Sequence, residues 1–336
     1  MPDFREVLVD AEEPRTRGEI IGLCGKLKCS IKVLNTLHVG SIQTLTGIDE
    51  DKLREIQKEL QEKQISWEQA VEKVLKLGIR AENPFFKISD IIAIPASTVK
   101  GNIRARLELS FRPRNGKIRS CFFTKGEGQV DSWKHRRHMK IWNDGIKDRR
   151  FVIVSREKQE KQEGQCVFEK VGKVCLLCDL FGTTGLMGLV FFSDFIGEAS
   201  PQIIELPIGR KFIRMEVAPQ GSVFRGEICF FNLSSPEIGL LLLGMGIEKT
   251  REGRRVLMGR FKYSKREYGR VMYQLDGFKL SSLSIPLEVE EMTVEPGEEI
   301  TNHDELNKLV ILLTNAAKKE FPDLEIVDEV KKLEGG

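Results

Sequence analysis

A chain of 336 residues with 53 Lys+Arg against 50 Asp+Glu carries a formal charge of +3, so any surface for a polyanion has to be a local patch. The length allows a sizeable core, as one elaborated domain or two modest ones. The charged start, Met1 to Arg17, lacks an apolar h-region and the apolar run at 238–245 is too short to span a membrane, so neither a signal peptide nor membrane association is expected. Seven cysteines argue against a disulfide framework here, and the expected location is cytoplasmic.

Residues 1–25 are polar and read as a loosely packed arm. From Lys26 to Val33 the pattern alternates, with Leu27, Cys29, Ile31 and Val33 on one side and Lys28, Ser30 and Lys32 on the other, which predicts a half-buried antiparallel strand. Residues 49–78 are charge-rich and helical, with Ser66-Trp-Glu-Gln69 as a capping box that restarts a second helix, so this segment reads as an insertion into a sheet. Residues 83–94 return to strand character. Ile94-Pro-Ala-Ser-Thr-Val-Lys-Gly-Asn-Ile-Arg104 then opens a helix, predicted with Ser97 and Thr98 at its N-cap and Lys100 and Gly101 just inside. Unpaired amides, two hydroxyls and a lysine at a helix start make an anion site, with Arg104 four residues after Lys100 on the same face.

Residues 112–173 are irregular and basic, with Trp133 and Trp142 interleaved. Strand-rich sequence follows over 212–231, broken at Pro219-Gln-Gly221. Ser234-Ser-Pro-Glu starts a buried helix, 271–280 is a strand, and an acidic extension over 286–336 carries one amphipathic helix near 306–317. This order predicts an α+β fold, with a ferredoxin-like or RRM-like core over 26–285 enlarged by insertions at about 49–78 and 112–173.

Three segments read together carry a resemblance. Ile94 to Arg104 is similar to an "I-P-G-S-S-L-K-G-x-x-R" segment, Cys175-Leu-Leu-Cys-Asp-Leu-Phe-Gly182 to "C-x-x-C-x-L-F-G", and Ile213 to Phe224 to "x-R-x-E-x-V-P-x-G-x-x-F". Their order resembles the RAMP superfamily of CRISPR systems, in particular the backbone subunit of type III effector complexes. The resemblance implies an RRM-like palm that binds guide RNA, stacks with other subunits of the complex and meets a target RNA. It also implies a thumb hairpin near 197–214, whose tip at 201–211 displaces a nucleotide. Small-molecule substrates are not implied.

RNA held without sequence preference needs phosphate contacts and stacking platforms. Ser97, Thr98, Lys100, Gly101, Arg104 and Arg214 are candidates for those contacts. A second set lies in the basic aromatic run at 257–271: Arg260, Tyr263, Lys265, Arg266 and Arg270. Cys175 and Cys178 have metal-ligand spacing but supply two of four ligands. Cys166 and His135 are the chosen partners for a structural zinc, with Cys121 and His138 also at hand. The resemblance further implies target-RNA cleavage by an aspartate in a loop patterned "H-x-G … G-I-D-N-P". Here His38-Val-Gly40 and Gly47-Ile-Asp49 are split from Asn83-Pro84, so Asp49 and Glu82 both claim that place, either holding a divalent cation such as magnesium. The chain has no P-loop, H-E-x-x-H or G-x-S-x-G motif. A stand-alone guide-RNA-processing endoribonuclease and a non-catalytic scaffold subunit are the competing expectations.

Overall fold

The computed structural model describes residues 7–40, 45–47, 50–77, 80–121, 141–142, 152–153, 166–208 and 211–335. The alternation read from Lys26 belongs to a longer strand, Leu23–Val33, in which Leu27, Cys29, Ile31 and Val33 are fully buried. It sits in the middle of a sheet that runs Glu252–Leu257, Arg270–Leu280, Leu23–Val33, Val223–Leu233, Phe195–Gly197, Ile91–Ile94 and Lys87–Ile88. Every neighbouring pair on that path is antiparallel. The architecture is mixed α+β around one main apolar core.

Helices Ala96–Ser110, Ser235–Met245 and His303–Glu320 contribute to this core. Glycines let them approach closely. A Cβ on Gly244 would lie 2.8 Å from Ile103 Cγ2, and one on Gly239 would lie 2.0 Å from the Leu313 carbonyl oxygen. Ser234 and Glu237 form the reciprocal capping box that starts Ser235–Met245, with Pro236 in its first turn. The last of the three helices is longer than the amphipathic stretch read from sequence, and its close contact with Ser235–Met245 makes it part of the core.

The N-terminal arm is not loose. Val7 and Val9 are buried, and the strand at Val7–Val9 pairs in parallel with Lys117–Ile118 and Val152–Ile153. Arg15 binds Asp179 and Glu237, each at 2.7 Å, and Arg17 binds Asp179 at 2.7 Å. Polar composition concealed this, because the charges of the arm are spent on acids of the domain.

A second, four-stranded sheet runs Gln202–Ile208, Lys211–Val217, Arg80–Asn83, Leu45–Gly47. The first two form a long hairpin, and Lys211–Val217 pairs in parallel with Arg80–Asn83, Arg214 opposite Glu82. On the other side Leu45 is opposite Glu82 and Gly47 opposite Arg80. Helices Glu50–Gln61 and Trp67–Leu77 lie between those two strands in sequence, and Ser66 and Gln69 exchange the capping hydrogen bonds that their spacing predicts.

A short C-terminal helix, Glu329–Glu334, was not anticipated. Glu329 is 1% exposed and accepts from Arg106 Nε and Nη2 and from the Leu257 amide at 3.0 Å. Burial works against its charge, and the Arg106 guanidinium outweighs it, holding the carboxyl below its ordinary range. Glu329→Ala should therefore leave Arg106 buried and unpaired, costing roughly 3–5 kcal/mol in urea unfolding. Glu325→Ala, which removes an exposed partner of Arg112, should cost under about 1 kcal/mol. Because the folded pKa of Glu329 is depressed, its contribution is present above about pH 4.5 and should be lost as pH falls below that, so the gap between wild type and Glu329→Ala closes in acid.

Candidate nucleic-acid groove and metal centre

The helix at Ala96–Ser110 starts one residue after the strand Ile91–Ile94, with Pro95 as its N-cap. Ser97 and Thr98 are therefore in the first turn and do not cap it, which corrects the sequence reading. The Ala96 amide donates instead to Asp194 Oδ1 at 2.7 Å, so one of the end's free amides is already satisfied by a carboxylate from the neighbouring loop. Ser97 and Gly101 are exposed. Among the described residues neither hydroxyl, nor the half-buried Lys100 amine, has a hydrogen-bond or ion-pair partner. Burial, then the nearby Arg104, push the Lys100 pKa down.

Arg104 does not join Lys100 at the surface. It donates to Glu108 at 2.8 Å, to the Gly182 carbonyl at 2.6 Å and to Cys178 Sγ at 3.2 Å. Its predicted phosphate contact is replaced by an interior role. The cause is the i,i+4 glutamate, which draws the guanidinium down the helix and away from its start.

The basic run folds as a turn after Glu252–Leu257 and feeds Arg270–Leu280. Arg270 is 3% exposed and donates to the carbonyls of Lys262, Lys265 and Tyr268 and to Glu334, so it organises the turn from inside and is no surface contact. Arg260 and Arg266 are exposed, Arg266 donating to the Glu334 carbonyl. Lys265 lies over the Tyr268 ring at 5.9 Å. Arg260 lies over the Phe261 ring and donates to Asn83 Oδ1 at 2.9 Å.

Between this turn and the helix start is a cavity of about 220 Å³ lined by Ser97, Thr98, Gly101, Met258, Lys262 and Tyr263. It brings Ser97, Thr98 and Gly101 of the first predicted set together with Tyr263 of the second. Lys262 was missed, although it stands between Arg260 and Tyr263 in the same run. Its amine is 5.3 Å from the Tyr263 ring centre and has no ion pair among the described residues. Burial, then the Arg106 charge, push its pKa down to about 8.

The segments that contest the catalytic position meet elsewhere. His38 is buried, and its Nδ1 lies 2.7 Å from the Glu216 carbonyl, which makes Nδ1 the protonated nitrogen. Burial keeps the imidazole neutral by lowering its pKa. Glu216 also accepts from the Phe85 amide at 2.9 Å and Lys87 at 2.8 Å, while the Arg260 amide donates to the His38 carbonyl. The His38-Val-Gly40, Asn83-Pro84 and Arg214-Met-Glu216 motifs thus adjoin one another. Glu82 is on the shared strand with its Cα beside that of Arg214. The Glu82 side chain and the whole of Asp49 lie outside the described residues.

Cys121, Cys166, Cys175 and Cys178 are all buried, and their sulfurs lie within 4.8 Å of one another. Cys121 and Cys178 are 3.4 Å apart and unbridged. A tetrahedral zinc with bonds of about 2.3 Å needs sulfurs roughly 3.8 Å apart, so spacing and soft donors fit such an ion. The Cys121 amide reaches Cys175 Sγ at 3.3 Å and the Cys175 amide reaches Cys166 Sγ at 3.4 Å. Donation from the three neighbouring thiols and the Arg104 charge hold the Cys178 thiol low, while burial pushes Cys175 up. The set closes with Cys121 and needs no histidine; His135 lies outside the described residues.

The chain belongs to the RAMP superfamily, whose family model matches residues 30–309. Among curated proteins nothing matches it. No helix among the described residues is long and apolar enough to cross a membrane.

Metal analysis should find close to one zinc per chain. Cys121→Ser should lower that occupancy at least as far as Cys178→Ser does, and His135→Ala should leave it unchanged.

Proposed function

We propose that this RAMP chain is the guide-RNA-binding backbone subunit of a type III CRISPR interference ribonucleoprotein, built on an RRM-like palm with a structural zinc. Four central strands support the palm. In chain order they are Leu23–Val33, Phe195–Gly197, Val223–Leu233 and Arg270–Leu280, and in space they run fourth, first, third, second. Helices follow the first and third in sequence, as in a split βαβ unit. The Gln202–Val217 hairpin is the thumb in this reading, and Arg214 on its inner strand is a further RNA contact.

One observation carries the RNA-binding reading: the groove that joins Ser97, Thr98 and Gly101 to Lys262 and Tyr263. Two hydroxyls, the Lys262 amine, which has no ion pair among the described residues, and an aromatic ring converge there, with Lys100 on the same first turns of the helix. That set suits a ribose-phosphate strand whose sequence is not read. Lys100, Lys262, Lys265, Arg260 and Arg266 supply charge in this proposal, and Tyr263 supplies a stacking face.

Target-RNA cleavage is the second part of the proposal. Glu82 or Asp49 would hold a divalent cation such as magnesium near a target phosphate; the strand register beside Arg214 and the adjacent His38 and Asn83 motifs support that neighbourhood. The scaffold alternative differs in one outcome, the absence of cutting at this subunit's position.

Lys100→Ala and Lys262→Ala should weaken binding of unrelated RNA sequences about equally. Each should also make the slope of log affinity against log salt shallower by roughly 0.7. Weakening confined to one sequence would contradict backbone recognition.

A phosphate on Lys262 favours its charged form, so binding takes up a proton above the free-protein pKa. RNA affinity of the wild type should therefore fall as pH rises past about 8, and this fall should be absent in Lys262→Met.

In the assembled complex, Asp49→Ala and Glu82→Ala are compared for cutting and for guide binding. Loss of cutting with guide binding retained identifies the carboxylate that acts at the transition state. A wild-type complex that cuts at this position and is unaffected by both substitutions would overturn the carboxylate assignment.

A further inference from the structure

Arg104 links the cysteine cluster to the helix that carries Ser97, Thr98 and Lys100. Four thiolates around a divalent cation leave two net negative charges in a site whose ligands are all buried. Uncompensated charge is costly there. The two amides that reach the sulfurs supply partial charges. Arg104 supplies a whole one, shared with the Glu108 carboxylate, at 3.2 Å from Cys178 Sγ. Burial works against its protonation, but Glu108 more than restores it, so the group stays cationic.

The same guanidinium donates to the carbonyl of Gly182, the residue that ends the Leu176–Phe181 helix. Gly182 holds a φ of 83°, and a Cβ there would lie 2.8 Å from the Gly188 amide, so this carbonyl is held by a tight backbone crossing. Arg104 therefore grips both a ligand sulfur and the end of the ligand-bearing segment, from a helix that supplies none of the four cysteines.

We propose that Arg104 is a positioning residue of the metal centre: it compensates the thiolate charge and fixes Cys178, so that metal loading and seating of the Ala96–Ser110 helix are one event. This rests on the cluster being a metal centre. Partners that orient first ligands typically change metal affinity 10–100-fold when removed.

The test uses full-length protein stripped by a chelator and titrated with zinc against a chromophoric competitor, as wild type, Arg104→Lys and Arg104→Gln. Arg104→Gln should bind zinc about 10–100-fold more weakly, with partial recovery in Arg104→Lys, which keeps the charge but loses the fork. Thermal midpoints with and without zinc separate this role from simple packing. The rise on adding zinc should shrink in Arg104→Gln. A variant whose midpoint drops equally with and without zinc, at unchanged zinc affinity, would overturn the proposal.

If Arg104→Gln does not fold, Arg104→Lys decides: an affinity below wild type supports the proposal, and one equal to it overturns it. Wild type that takes up no zinc removes the metal-centre reading itself, and this inference with it. Wild type and Arg104→Gln binding alike removes this inference alone.

Discussion

The helix Ala96–Ser110 carries two arginines two residues apart, and both are turned into the protein. Arg106 is bound to Glu329 of the C-terminal helix and donates to the Gly244 carbonyl; Arg104 is bound to Glu108, Gly182 and Cys178. Residues two apart on a helix point in well-separated directions, so the pair reaches two different bodies from one axis. Arg106 ties the helix to the C-terminal segment and, through Glu329 and the Leu257 amide, to the start of the basic turn. Arg104 ties it to the cysteine cluster. The start of the helix, where Ser97, Thr98, Lys100 and Gly101 stand, is thereby placed relative to both.

That arrangement accounts for what sequence could and could not convey. The central strand was legible because its alternation is set by burial on one face, and the helix start at Ser234 because its serine and proline signal is local. The central strand Phe195–Gly197 was not read, because three residues are too short to show an alternation. The inward turn of Arg106 was not legible, whereas Arg104 has its partner Glu108 only four residues on. A guanidinium written Arg-x-Arg beside an anion-site motif looks alike whether it meets a phosphate or a buried glutamate, and the deciding partner, Glu329, is 223 residues away. The cap failed for a similar reason: the helix starts at Ala96, before Ser97 and Thr98, and Asp194, far along the chain, takes the Ala96 amide. In the metal set, Cys175 and Cys178 were given by spacing, whereas choosing Cys121 over His135 required knowing how the chain returns from the Ala96–Ser110 helix.

The basic turn shows how charge is divided between holding a loop and presenting it. Arg270 spends its donors on three carbonyls of the turn and on Glu334. It costs the surface one cation and gives the turn a fixed shape, so Arg260, Lys262 and Lys265 stand in defined places over aromatic rings. A turn of this composition held only by its own backbone would pay more ordering entropy on meeting a ligand. The C-terminal helix belongs to the same device, since Glu334 meets Arg270 while Glu329 meets Arg106.

The two sheets then divide the labour. The large sheet and its helices fix the groove, and the small sheet carries the long hairpin and the strand with Glu82. They are joined at His38, whose carbonyl receives the Arg260 amide from the groove side and whose Nδ1 meets the Glu216 carbonyl from the hairpin side. Because burial keeps that imidazole neutral and its Nδ1–H is already given to a carbonyl, His38 acts here as a joint with a fixed tautomer. A Cβ on Gly40 would lie 3.0 Å from the remaining ring nitrogen, so the glycine of His38-Val-Gly40 is what lets the loop fold back over the ring. The motif is thus explained by packing between the two sheets.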